Sequence, residues 1–129
     1  MPSIFGKFTA HSKNALKNAF GFALKSGHRS VTPQHILYSL SREKGSIASQ
    51  ILAKAKIDGE TIKKSLIKDS PTKESITQVG LSAGTKKLLE KSFLIANRNN
   101  HKYIGTEHLL ASTISIQDDI VKDFMVNNK

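Results

Sequence analysis

The feature that most constrains the fold is an internal repeat. Residues 8–40 slide onto 81–113 without a gap, at an offset of 73. Ala10 falls on Ala83, Lys13 on Lys86, Leu16 on Leu89, Phe20 on Phe93 and Ala23 on Ala96. His28 falls on His101, His35 on His108, Leu37 on Leu110 and Ser39 on Ser112. A repeat of this length is a supersecondary unit used twice, and its matched apolar positions mark a shared buried face. The near-copies "SVTPQHILYS" and "YIGTEHLLAS" differ in charge at one position, Gln34 against Glu107.

The first element of each unit reads as a helix. Leu16, Ala19, Phe20, Ala23 and Leu24 follow the spacing of one buried helical face. Thr9 is placed to cap this helix and Gly27 to end it. In the second unit Leu89, Phe93 and Ala96 repeat the stripe, Ser82 is the cap, and "NRNN" at 97–100 is the stop. The next helix starts at Thr32-Pro33, where the hydroxyl caps and proline suits the first turn; its partner starts near Gly105-Thr106. "SIASQILAKA" (46–55) puts Ile47, Ile51 and Leu52 on one side. "DGETIKKSLIK" (58–68) starts at the cap Asp58 and buries Ile62, Leu66 and Ile67. The polar stretch 69–80, with Pro71, reads as a connector, and "QDDIVKDFMV" (117–126) as a last helix. No run reads as a strand. The expectation is an all-α single domain over 1–129, with repeat one at 8–68, a connector at 69–80 and repeat two at 81–127. That makes seven helices, the eighth missing, which leaves the apolar face of 117–126 short of a cover.

Several function classes find no support in this pattern. The 129 residues hold no cysteine, hence no thiolate nucleophile and no Cys-based metal site. "GLSAGTKK" at 80–87 lacks the spacing of a phosphate-binding loop and follows no strand. Asp118 and Asp119 fit the start of a helix rather than an acid–base pair. His28/His35 and His101/His108 straddle helix starts, so they read as helix-end and first-turn hydrogen-bonding groups rather than metal ligands. No cofactor and no catalytic residue are expected. No apolar run approaches the roughly 18 residues of a membrane span, and the N-terminus lacks the apolar core of a secretory signal. The cytoplasm is the simplest compartment. The formal charge of +10 raises nucleic acid as an alternative partner. Against it, the lysines are spread along the chain in helical patterns and are not gathered around exposed aromatics; Phe20, Phe22 and Phe93 read as core.

Glu107 has two readings. As a first-turn glutamate it gains about 0.3–1 kcal/mol from the helix dipole. As a functional group, a carboxylate fixed on a rigid helix start holds a guanidinium through two parallel hydrogen bonds. Gln34 keeps the shape without the charge.

"FGKFTAHSKNAL", "GHRSVTPQHIL", "LSAGTKKLLEKS" and "YIGTEHLL" together resemble the N-terminal domain of the Clp AAA+ unfoldases, most nearly the ClpC type. The resemblance spans residues 5 to about 126. It implies two pseudo-symmetric helical repeats and a non-catalytic role: docking substrates and adaptor proteins for an unfoldase that feeds a protease. For the ClpC branch it implies a reader of phosphorylated arginine, in which each half holds the guanidinium with its GTEH glutamate, aided by the Thr or Ser capping the first helix and by a lysine near the phosphate. Carried over, the second half has Ser82, Lys86 and Glu107. The first half has Thr9 and, by internal symmetry, Lys13, with Gln34 where glutamate is expected. The second pocket is therefore expected to dominate, and Gln34→Glu to add a site to the first. No ATPase module lies in these 129 residues, so the chain is expected either to be a piece of a longer unfoldase or to act as a self-standing member of the family.

Overall fold

The computed structural model describes residues 4–66 and 79–115. A short 3-10 turn (Ile4–Lys7) leads into α1 (Ala10–Lys25), followed by β1 (Ser30–Val31), α2 (Pro33–Arg42), α3 (Ile47–Lys54) and α4 (Gly59–Leu66). After the connector come β2 (Gly80–Leu81), α5 (Ala83–Arg98) and α6 (Thr106–Ser115). The offset holds at the level of elements: α1 maps onto α5 and α2 onto α6, residue for residue at both ends. The expected helix at 117–126 lies outside the described residues, as does the end of the helix expected over 58–68.

The starts and stops follow from local chemistry. Thr9, Ser46 and Ser82 each accept the backbone N–H three residues on, which caps α1, α3 and α5. Asp58 does the same for Thr61 at 2.7 Å, and that bond holds its carboxyl below the usual carboxylate range. Both long helices end in a left-handed residue, Gly27 (φ 77°) and Asn100 (φ 59°). The next N–H then turns back onto the helix: His28 to the Ala23 carbonyl at 2.8 Å, His101 to that of Ala96 at 2.9 Å.

α2 is the centre of the molecule and packs against α1, α3, α4, α5 and α6. Its Ile36, Leu37 and Leu40 are at most 1 % exposed, and Leu88, Ile104 and Leu109 are buried equally from the other half. Each such side chain contributes roughly 1.5–3 kcal/mol on burial. The serine that both copies share has a packing role. Ser39 donates to the Ala15 carbonyl and Ser112 to the Leu88 carbonyl, tying α2 to α1 and α6 to α5.

The apolar stripes depart from the sequence reading in three places. Leu24 and Phe93 are 44 % and 37 % exposed, although both fit the buried spacing. Ile47 and Ile51 share one side of α3, but that side faces out while Ala48 and Leu52 face the core. Spacing fixes which residues share a face; it does not fix which face the neighbours cover.

There is also a small sheet where none was expected. β1 and β2 pair in parallel, Ser30 with Gly80 and Val31 with Leu81. A separate parallel bridge joins Phe8 to Ile104. The two pairings are related by the repeat, since Phe8 maps onto Leu81 and Val31 onto Ile104. Each half therefore lends the segment before its first long helix to the segment before the other half's second helix. Two residues are too few to leave an alternating pattern in the sequence, and the all-helical character is unchanged.

Candidate functional site: a cleft across the two halves

The exchanged pairing decides what stands beside Glu107. Thr9 donates its N–H to the Ile104 carbonyl at 3.0 Å, and the Ile104 N–H returns a bond to Lys7 at 2.7 Å. Ser12 adds a side-chain bond to the same Ile104 carbonyl. These bonds fix the start of α1, from the first half, against the start of α6, from the second. A cleft of about 270 Å³ opens there, lined by Thr9, His11, Ile47, Tyr103, Glu107 and the ring of His101 among others. On the other side of the pseudo-axis Ser82 donates to the Val31 carbonyl at 3.1 Å, Thr85 repeats the role of Ser12, and a β-carbon on Gly84 would lie 3.4 Å from Pro33. The start of α5 thus faces the start of α2.

The grouping by halves in the sequence reading is corrected accordingly. Glu107 shares its cleft with Thr9, not with Ser82 and Lys86. Ser82 lies on the side of Pro33 and Gln34. Lys13 and Lys86 are exposed, one turn into α1 and α5, and neither lines the described cleft. A repeat read from sequence presumes that each copy closes on itself; here the backbone pairing exchanges the partners.

Glu107 is half-buried, and its carboxylate lies folded over the backbone at Gly105. A β-carbon at Gly105 would stand 2.1 Å from its Oε1, well inside contact distance. Glycine is therefore a steric requirement of this carboxylate position. The counterpart of Gly105 is Thr32, which carries a β-carbon, and the counterpart of Glu107 behaves differently. Gln34 is 6 % exposed, and its Oε1 is buried without a hydrogen-bond partner among the described residues. Neutral chemistry and burial both separate Gln34 from the open carboxylate of Glu107.

Below each site lies the same histidine pair. His108 Nδ1 accepts the Gly105 N–H at 2.8 Å, so its proton sits on Nε2 and is donated to His101 Nδ1 at 2.6 Å. His35 Nδ1 accepts the Thr32 N–H at 2.9 Å, and its Nε2 reaches His28 Nδ1 at the same distance. His35 and His108 bond in the first turn of their helices, and His28 and His101 close the preceding ones, as the sequence suggested. Burial lowers the pKa of His108; the Glu107 carboxylate opposes that shift, and His101 adds to it. Among the described residues no group of three or more His, Cys, Asp or Glu side chains could hold a metal ion. No described helix is long and apolar enough to cross a membrane.

His11, Ile47 and Tyr103 lie in the cleft and were missed from sequence. Ile47 and Tyr103 are 49 % and 52 % exposed and make an apolar wall beside the carboxylate. His11 Nδ1 lies 2.7 Å from Glu43 Oε2. The available signal was a mismatch: His11 aligns with Gly84, inside a stretch where its neighbours match.

Two exchanged helical repeats, with a carboxylate-bearing cleft where they meet, define a duplicated helical module. The whole of residues 7–128 matches the model of the Clp repeat (R) N-terminal domain. The chain belongs to that family. It is 32 % identical over 112 residues to the negative regulator of genetic competence ClpC/MecB of Bacillus subtilis, covering 86 % of this chain and 14 % of that protein. It is 30 % identical over 114 residues to an uncharacterised protein of Mycobacterium tuberculosis, covering 88 % of this chain. The chain spans 45 % of the length of that relative. The fold superposes on the Hsp104 N-terminal domain from Candida albicans with a TM-score of 0.81 at 17 % identity, over 95 % of this chain and 81 % of that one. A ClpV N-domain in complex with a VipB peptide gives 0.79 at 18 % identity, over 98 % and 81 %.

Proposed function

We propose that this chain is a non-catalytic protein-binding module, which docks substrates or adaptor proteins for a Clp unfoldase and its protease in the cytoplasm. The bound feature is an arginine-type head, phosphoarginine in particular, and the single domain 1–129 is the docking unit. The observation that carries this reading is the half-buried Glu107 carboxylate, set against an apolar wall in a cleft between two rigid helix starts. A carboxylate so placed meets a guanidinium with two parallel hydrogen bonds, while Ile47 and Tyr103 flank the aliphatic stem. Thr9 Oγ1 accepts the Ser12 N–H and keeps a lone pair for a further donor. The ClpV N-domain solved with a VipB peptide supports peptide docking as a use of this fold.

The test is calorimetry with a phosphoarginine peptide on wild type and Glu107→Gln. Charged hydrogen bonds contribute roughly 1.5–3 kcal/mol against about 1 for neutral ones. The substitution should therefore weaken binding about tenfold or somewhat more, at 1.4 kcal/mol per decade. Unchanged binding would reduce Glu107 to a helix-start residue. Binding of arbitrary DNA that falls steeply with added salt would favour the nucleic-acid alternative instead.

A further inference from the structure

The differences between the two copies are not scattered. At offset 73, Glu107 is matched by Gln34, and His11 by Gly84. Read half by half, each copy keeps one polar group of the pair and loses the other. The exchanged pairing rearranges this: Glu107 and His11 line one cleft, whereas Gly84 stands against Pro33, next to Gln34. One site holds both an anion and a titratable base; the matched positions on the other side carry Gln34 and Gly84.

His11 is oriented for use. Its side chain is 50 % exposed, and Glu43, only 12 % exposed, sits at Nδ1. The ring lies over Gly45, whose added β-carbon would be 3.9 Å from His11 Nε2. With Nδ1–H given to Glu43, neutral His11 presents Nε2 as an acceptor, and the imidazolium presents it as a charged donor. Histidine is the side chain whose charge ordinarily changes between pH 5 and 8. The other titratable groups lining the cleft are His101, Tyr103, Glu107 and His108. Lys13 on α1 and Lys44 in the loop before Gly45 are exposed.

We propose that the Glu107 cleft takes a head carrying both charges, with a guanidinium on Glu107 and a phosphoryl group on His11 Nε2, which meets it as the charged donor of an imidazolium. This rests on the docking reading given above and assigns the phosphoryl to a residue other than Lys13 or Lys86. It also makes the module single-sited, because Gln34 and Gly84 stand at the matched positions on the other side. A neutral imidazole offers Nε2 only as an acceptor, so affinity for the phosphorylated head should fall as pH rises, by up to about tenfold per unit.

The experiment is calorimetry between pH 6 and 8.5 on the full chain, with two peptides that differ only in phosphorylation of one arginine. Wild type should bind the phosphorylated peptide at a stoichiometry of one, and more weakly at higher pH. His11→Arg carries its charge throughout and should bind tightly with only the pH dependence of the ligand and of the remaining cleft groups. His11→Gln should drop to the affinity of the unphosphorylated peptide. His11→Gln binding with wild-type affinity and pH profile would overturn the proposal, as would wild type binding both peptides equally. Glu107→Gln tests the guanidinium reading alone: its loss of both peptides, with an inert His11, leaves that reading standing and removes only this one.

Discussion

The start of α6 and the start of α2 descend from one unit and are built on the same frame, yet they present different surfaces. The frame is shared down to single bonds. A first-turn histidine accepts the N–H three residues back in both, and passes its own proton to the histidine that closes the preceding helix. Ser12 and Thr85 bond the same carbonyl position in the opposite half. The surfaces differ: the Glu107 carboxylate folds back to where a β-carbon at 105 would stand, whereas the matched residue Thr32 carries a β-carbon. The two copies share what holds the helix starts in place and differ in the groups set beside them. An anchor whose loss leaves a buried N–H unpaired costs stability wherever it occurs, whereas a cleft residue matters only where something binds.

The comparison breaks most severely at Gly105. Gly105→Thr installs the residue of the other copy, and its β-carbon needs the space of Glu107 Oε1. The carboxylate must leave its position, so affinity for a phosphoarginine peptide should fall by more than tenfold, at least as far as in Glu107→Gln. Calorimetry reads the loss, and a melting curve separates it from unfolding. Full binding in Gly105→Thr would mean that the folded-back carboxylate is not the binding form.

The shared frame predicts equal damage from unequal surfaces. His108→Ala leaves the buried Gly105 N–H without its acceptor, and His35→Ala does the same to the part-buried Thr32 N–H. Each should cost about 1–3 kcal/mol in urea unfolding. A cost in one half and none in the other would show that the two frames have diverged as well.

A pH series sharpens the same point. The pKa of His108 is lowered in the folded protein, from an ordinary value of 6.5, chiefly by burial. The unfolded chain therefore binds more protons as pH falls. The stability contributed by neutral His108 is fully present above pH 6.5 and is lost as pH falls through its lower folded value. His108→Gln should flatten this part of the stability profile; an unaltered slope would place the titration elsewhere.

The smallest effect is expected from Gln34→Glu. The sequence alone suggested that it would restore a second site. Gln34 is buried, Thr32 carries the β-carbon that Gly105 lacks, and Gly84 stands where His11 does in the other cleft. The single change should leave binding within about twofold of wild type, since charged hydrogen bonds contribute only where geometry permits them. A second binding event on titrating Gln34→Glu would restore the simpler view of two independent pockets.

Much of the architecture was legible in the 129 residues. The ungapped repeat fixed the equivalence of α1 with α5 and α2 with α6, because a helix needs its apolar residues at the same spacing each time. Thr9, Ser82, Asp58 and Gly27 declared helix ends, because capping is a matter of a few adjacent residues. The same local logic placed His35 and His108 in first-turn hydrogen bonds. Tertiary structure alone decided which surfaces meet. The Phe8–Ile104 and Val31–Leu81 pairings join opposite halves through a few backbone bonds over one or two residues, and such short pairings leave no side-chain period to read. They brought Thr9 and His11 to Glu107, and Gly84 to Pro33. Ile47 likewise faces outward into the cleft wall, while Ala48 and Leu52 of the same helix face the core. Periodicity specifies a face on each helix, but the neighbour that covers it is set by how the chain crosses between halves, through contacts between residues far apart in sequence.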